Sequence, residues 1–293
     1  MPDKIIEKEV EKICSRYKID PADAEKIIQE NFASRPNLVR KISERCLYED
    51  VTRFSEYKKF IKDVRKQIYY HLRQYKNKEQ ENQVGNQLKH LISESADPVQ
   101  INSLATKLLS SHISTRERFP FYQAFYHTIF GMIEYPRTII DIGCGFHPLS
   151  YPFACKGKFP ENYTAIDRDK GVIDILTTFA SCVKPTNLIP VYADLAELKW
   201  NDFFYEKEYI FDIAFMLKLI PVIYRQNRKI LPELANLPAR RILITGSAEA
   251  MTRRDNIMRR EHRILSEFVR ISGRKVIHSF NIENEFGYLL GTS

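Results

Sequence analysis

The chain has 293 residues, with 45 Lys and Arg against 37 Asp and Glu, a formal net charge of +8 and a pI near 9.1. Apolar residues at 44% and charged residues at 28% exclude a wholly disordered chain, and the length suits about two domains. The opening MPDKIIEKEVEK lacks the apolar stretch of a signal peptide, and the apolar run around 209–224 is broken by Asp212 and Lys218 and is too short to span a bilayer.

Residues 1–110 read as helical. Ile5, Ile6 and Val10 recur near helical spacing, Pro21 opens a fresh helix after the N-cap residue Asp20, and Asp97-Pro98 opens another. Between Val51 and Gln83, Phe54, Tyr57, Ile61, Val64 and Ile68 fall at three- and four-residue steps, which predicts a long helix with one apolar face. Twelve basic side chains between Arg40 and Lys78 face five acidic ones, with Tyr57, Phe60, Tyr69, Tyr70 and Tyr75 interleaved. A second excess, thirteen against five, lies between Arg225 and Lys275. Each segment reads equally as the solvated side of an amphipathic helix and as part of one phosphate-binding face. The five cysteines, at 14, 46, 144, 155 and 182, are odd in number and contain no C-x-x-C pair. That pattern suits a reducing cytoplasm and predicts neither a disulfide framework nor a Cys-based zinc site.

A helix over Phe121–Ile133 closes the helical region, and from Arg137 the pattern changes to short apolar runs between helices. Strands are predicted at Thr138–Ile142, Tyr163–Ile166, Leu188–Tyr192, Ile210–Met216, Arg241–Thr245, Lys275–Ile282 and Tyr288–Leu290, with helices near 148–156, 170–182, 221–236 and 256–272. Strands alternating with helices imply an α/β fold with a mostly parallel sheet. A late antiparallel hairpin around Glu283–Gly287 gives the layout of class I S-adenosylmethionine (SAM) methyltransferases, a Rossmann-like sheet, here preceded by an α-helical domain. The expected division is a helical domain over 1–105 and a methyltransferase domain over 106–293.

The strand Thr138–Ile142 runs into Gly143-Cys144-Gly145, with Asp141 just before the glycines. Glycines at this position let the backbone turn sharply and approach a ligand. No third glycine follows, and the short acidic form suits SAM better than a dinucleotide, which has a pyrophosphate to cradle. The second strand ends at Asp167-Arg168-Asp169, about 20 residues on, where an acidic residue is placed to accept ribose hydroxyls. Asp167 is the first choice and Asp169 the second, and an Asp here serves equally as a helix N-cap. Asp194 and Leu195 end the third strand and suit adenine, while Lys218 follows the fourth and must reach a cleft or solvent. His112–Arg118, HISTRER, lies just before the glycine strand, so one of its arginines is placed to pair with the methionine carboxylate. No carboxylate pair, Ser-His-Asp order or metal-spaced His cluster competes for the chemistry.

HISTRER at 112–118, IDIGCGFHPL at 140–149, LKLIP at 217–221 and NIENEFGYLL at 281–290 together resemble the aminoglycoside-resistance ribosomal RNA methyltransferases of the Arm group. The resemblance covers roughly residues 100–290 and implies SAM-dependent methylation of guanine N7 in the decoding-site helix of 16S rRNA, on the assembled 30S subunit. It implies a cofactor site lined by Arg116, Arg118 or both, with Gly143, Cys144, Gly145, Asp167, Asp194 and Leu195, and the motif positions add Asp141 and Lys218 to the expected site. It also implies that the basic N-terminal domain docks on ribosomal RNA and matches Arg254 and Met258 to family positions. With the two basic segments, the expected RNA contacts are Arg53, Lys58, Lys59, Lys62, Arg65, Lys66, Arg253, Arg254 and Met258. The protein is expected to be a cytoplasmic monomer with no membrane or metal requirement.

The chain departs from the family's pattern in two places. The loop after the fifth strand reads Gly246-Ser247-Ala248-Glu249-Ala250-Met251-Thr252-Arg253-Arg254, without the family's Phe-Pro and with Glu249 at a basic position, and His147 replaces an Asn. Two other functions are separable from the leading one. A methyltransferase of small molecules has no use for two basic segments, and a non-catalytic ribosome-binding homologue would not bind SAM.

Overall fold

The structure is a computed structural model that describes residues 2–17, 21–44, 48–93, 97–112, 115–151, 160–182, 187–198, 211–248 and 254–291. The chain divides into two compact units, Met1–Gln80 and Glu81–Ser293. Among the described residues no helix is long and apolar enough to cross a membrane.

The first unit is helical: α1 (Pro2–Tyr17), α2 (Pro21–Ala33), α3 (Pro36–Ser43), α4 (Tyr48–Arg53) and the first part of α5 (Ser55–Ser93). The predicted cap Asp20 lies outside the described residues. Ile13, Ala24, Ile28, Phe60, Val64 and Ile68 have no exposed surface, and each buried Ile, Val or Phe contributes about 1.5–3 kcal/mol. The apolar face of α5 is wider than the sequence suggests. Phe60 stacks on Phe32 at 4.2 Å, and Tyr57 is 2% exposed, so neither of these interleaved aromatics is a surface platform. Lys58, Lys59, Lys62 and Lys66 lie on the exposed side with Arg53, as the 3.6-residue period requires. Arg65 is half-buried and lies 3.7 Å from the buried carboxylate of Glu9.

The second unit is built on a seven-stranded sheet of order β3-β2-β1-β4-β5-β7-β6. Its strands are β1 (Thr138–Ile142), β2 (Asn162–Asp167), β3 (Leu188–Tyr192), β4 (Phe211–Met216), β5 (Ala239–Ser247), β6 (Lys275–Ile282) and β7 (Glu285–Gly291). β1 to β5 are parallel, and β7 inserts antiparallel between β5 and β6. β7 begins at Glu285, earlier than its apolar residues suggest, because it pairs with β5 from Arg241↔Gly291 to Ser247↔Glu285. Ile210, the predicted first residue of β4, lies outside the described residues.

The helices are α6 (Pro98–Ser111), α7 (Tyr122–Met132), α8 (Lys170–Cys182), α9 (Ile220–Gln226), α10 (Leu231–Ala235) and α11 (Arg254–Ser272). Asp97 caps α6 by accepting the Val99 N–H at 3.0 Å. The continuous helix expected over 221–236 is interrupted, since Asn227 leaves the helical conformation and its side chain accepts the Lys229 N–H. The helix expected over 148–156 begins as a 3₁₀ turn at His147–Ser150, and 152–156 lie outside the described residues. Val84, Leu88, Ile101, Leu104 and Ala105 join the core of this second unit.

Side-chain alternation divides the core into two layers. Ile139, Ile213, Phe215 and Leu243 face α6, α7 and α8, whereas Ile140, Ile142, Ala214, Met216, Ile242 and Ile244 face α9, α10 and α11. β1, β4 and β5 are therefore apolar on both faces, as central parallel strands are. Asp141 shares a face with Ile139, which carries it into the first of these layers.

Candidate functional site

The carboxyl ends of β1 and β2 form one junction. Gly143 and Gly145 adopt left-handed backbone angles, φ +65° and +51°. A Cβ at position 143 would lie 2.8 Å from Leu219 Cδ1, the movable end of a side chain, so the positive φ is the stronger reason for glycine there. The Gly143 and Cys144 amides both donate to the Ile166 carbonyl, at 2.8 and 3.1 Å. The Gly145 amide donates to Asp167 Oδ2 at 2.8 Å, and the Asp169 amide donates to Asp167 Oδ1 at 2.9 Å. A carboxylate has about four acceptor positions, so half of the capacity of Asp167 remains for a ligand. Asp169 instead caps α8 through the Gly171 amide at 2.9 Å. Of the two roles that sequence left open at this position, the N-cap falls to Asp169.

β3 continues the edge. The Ala193 amide donates to the Asp167 carbonyl at 3.0 Å, and Asp194 is exposed, with Oδ1 accepting the Ala196 amide at 2.9 Å. Leu195 is half-buried against the second core layer.

Asp141 and Cys144 lie beneath the turn. Asp141 is 1% exposed, and its Oδ2 accepts from His147 Nδ1 at 2.8 Å and from the Tyr163 hydroxyl at 2.9 Å. Tyr126 OH contacts His147 Nε2 and Ser150 Oγ, each at 3.0 Å. This Asp–His pair has the look of a catalytic dyad, but His147 is 2% exposed, so it meets no solvent or substrate. Burial lowers the His147 pKa against the opposing pull of Asp141 and favours the neutral ring. Burial likewise raises the Cys144 thiol, with Asp141 and Asp167 adding to the effect, so this cysteine is inert.

The Thr115–Arg118 turn follows α6. Thr115 and Arg116 donate their amides to the His112 carbonyl at 3.2 and 2.8 Å, and Thr115 Oγ1 donates to the Leu109 carbonyl at 2.8 Å. Ile113 and Ser114 lie outside the described residues. The His112 ring meets Phe146, next to the glycine turn, edge-on at 4.8 Å. Burial lowers its pKa, while the carboxylates of Asp167 and Asp169 pull the other way. His112 thus belongs beside the glycine turn, a position that only its place in HISTRER signals in sequence.

The three charged residues of the turn take different paths. Arg118 is buried and forms a bidentate pair with Glu285, Nε to Oε2 at 2.9 Å and Nη2 to Oε1 at 2.6 Å. Its guanidinium lies over the Phe125 ring at 5.0 Å. Glu117 accepts from Lys218 Nζ at 2.7 Å. Arg116 is exposed and makes no ion pair among the described residues. Lys218 is half-buried in a left-handed conformation, φ 57°, and its amide donates to Thr245 Oγ1 at 2.9 Å. Of the expected RNA contacts in the second unit, Met258 is half-buried, Arg253 lies outside the described residues and Arg254 outside the described side chains.

The family model "Ribosomal RNA methyltransferase (FmrO)" matches residues 31–275. A 16S rRNA (guanine(1405)-N(7))-methyltransferase of Proteus mirabilis is 26% identical over 203 residues, 66% of this chain and 67% of that one. A protein of the same description from Micromonospora rosea is 30% identical over 144 residues, about half of each chain, 48% and 49%. Among solved structures, the 16S rRNA methylase ArmA is 26% identical with a TM-score of 0.52, covering 64% of this chain and 91% of that one. The 16S rRNA methyltransferase RmtF, solved with S-adenosyl-L-homocysteine, shares the fold at 18% identity, with a TM-score of 0.58 over 98% of both chains.

Proposed function

The chain belongs to the ribosomal RNA methyltransferase (FmrO) family, and from that membership we propose that it methylates N7 of a guanine in 16S rRNA, with SAM as the methyl donor. The substrate is the assembled 30S subunit and the modified base lies in the decoding-site helix, where the added methyl gives aminoglycoside resistance. The protein acts as a monomer in the cytoplasm. Its main support in the structure is the junction in which the Gly145 amide binds Asp167 at 2.8 Å, joining the glycine turn to an acidic strand end that retains acceptor capacity.

These residues fit SAM. Asp167 would take the ribose hydroxyls, Asp194 and Leu195 the adenine, and the turn Gly143–Gly145 would let the backbone approach the cofactor closely. Arg116 would pair with the methionine carboxylate, because Arg118 is already neutralised by Glu285. When bound, the cofactor supplies an electrophilic methyl: the N7–carbon bond forms as the sulfur–carbon bond breaks, and the sulfonium charge passes to the base. Guanine N7 offers an in-plane lone pair and no proton, so no side chain has to act as a base. The work of the protein is proximity and orientation, including holding a guanine swung out of its helix. Lys58, Lys59, Lys62 and Lys66 present the exposed charge that would meet rRNA phosphates.

A second reading, methylation of another rRNA position by the same site, draws on the altered stretch Gly246–Arg254, where Glu249 stands at a basic position. Tritiated-methyl transfer to purified 30S subunits and to naked 16S rRNA, followed by borohydride and aniline cleavage, tests both. One strand break in the decoding-site helix of RNA from treated subunits is the expected result. A break elsewhere selects the second reading, and transfer without cleavage overturns N7 as the acceptor.

A further inference from the structure

Five residues around the Thr115–Arg118 turn form a closed circuit of side-chain and backbone links. Arg118 grips Glu285 through two hydrogen bonds of 2.9 and 2.6 Å. Thr245 lies diagonally across the β5–β7 ladder from Glu285, on the same face, where it helps hold the Glu285 carboxyl below the usual carboxylate range, while its oxygen accepts the Lys218 amide at 2.9 Å. Lys218 then returns through its ammonium to Glu117, at 2.7 Å, the immediate neighbour of Arg118. The circuit ties the turn to the ends of β4 and β5 and to the start of β7. Glu285 is its hub.

Stability alone gives a weak reason for such a hub. The side chains of Arg118 and Glu285 are 4% and 8% exposed, and desolvating two charges offsets most of their attraction. A well-packed apolar pair would serve a core equally well. The bidentate fork supplies direction instead, since it fixes the plane of the guanidinium and with it the turn from which Arg118 projects. The Arg118 amide donates to the Thr115 carbonyl at 2.9 Å, so Arg116 lies inside the small ring of backbone that the fork anchors. Lys218 holds a left-handed conformation, unfavourable for a non-glycine residue, which the Thr245 contact maintains.

We propose that Glu285 is a positioning residue for the cofactor: acting through Arg118 and Thr245, it sets Arg116 and Lys218 at the methionine end of SAM. The inference rests on the SAM reading above and assigns Glu285 no contact with substrate. It predicts that loss of the Glu285 charge harms recognition of the amino-acid end of the ligand and spares the adenosine end.

Calorimetry with two ligands tests this. S-Adenosylhomocysteine carries the amino-acid group, and 5′-methylthioadenosine lacks it. Glu285→Gln should weaken S-adenosylhomocysteine about tenfold, equivalent to about 1.4 kcal/mol, and leave 5′-methylthioadenosine within about twofold of the unaltered protein. In methyl transfer to 30S subunits, KM for SAM should rise more than kcat falls. The double variant Arg118→Leu/Glu285→Leu removes both charges together and guards against misfolding from an unpaired Arg118. It should melt near the unaltered protein and show the same selective loss. Equal weakening of both ligands, or no change in either, overturns the proposal. Failure of the unaltered protein to bind either ligand overturns the SAM reading instead.

Discussion

Gly145 and Asp167 are joined by a 2.8 Å hydrogen bond from the backbone amide to the carboxylate, so the turn after β1 and the end of β2 are held as one piece. Because the second oxygen of Asp167 takes the Asp169 amide, the carboxylate is oriented before any ligand arrives. Such preorganisation lowers the entropic cost of binding.

Asp167→Ala should therefore weaken SAM binding by roughly 1–3 kcal/mol, through loss of a hydrogen-bonded partner for the ribose and of the acceptor for Gly145. Calorimetry on the folded variant measures it, and unchanged affinity would remove Asp167 from the cofactor site.

Gly143→Ala meets two obstacles, the positive φ of +65° and the contact with Leu219 Cδ1 at 2.8 Å. Chemical denaturation should show a loss of about 1–3 kcal/mol. Adding Leu219→Ala should relieve the contact and leave the backbone strain. A fully restored stability in the double variant would show that strain at this glycine is negligible.

Lys58, Lys59, Lys62 and Lys66 changed together to Glu should abolish 30S binding and leave SAM affinity intact, because all four are exposed on the helical unit. In the unaltered protein, 30S affinity should fall steeply with added salt, because releasing phosphate counterions into a saltier solution gains less entropy. Surviving 30S binding in the quadruple variant would place the docking surface elsewhere.

His147 gives the protein a predictable pH dependence. Its native pKa lies below the ordinary value of 6.5, since burial disfavours the charged ring more than Asp141 favours it. Between those two values the unfolded chain binds more protons than the folded one. Stability is then complete above about pH 6.5 and falls as pH drops below it, by at most about 1.4 kcal/mol per pH unit for this one group. His147→Asn, which retains a donor toward Asp141, should flatten the profile below about pH 6.5. Denaturation midpoints across that range measure the slope, and an unchanged slope would assign it to other groups.

Much of the second unit could be read from residues alone. Apolar runs bounded by helices marked the strands, because a central parallel strand must be apolar on both faces. The glycine turn and Asp167 were equally legible, since few residues other than glycine adopt φ +65° and +51°. The break at Asn227 was hidden because apolar periodicity continues through it, while one local side-chain bond to Lys229 ends the helix.

The sequence by itself determined the order of strands and helices, the two basic segments and the motif positions, because these follow from local periodicity, composition and backbone sterics. Only the tertiary structure decided which charges are spent. Arg116 and Arg118 are equivalent as letters, but Glu285, 167 positions after Arg118, neutralises one and leaves the other exposed. Asp141 precedes the glycine motif and Asp167 ends the next strand, and packing sends the first beneath the turn, to His147 and Tyr163, and leaves the second at the edge. Pairings of this kind depend on burial and on distant partners that a linear pattern does not contain.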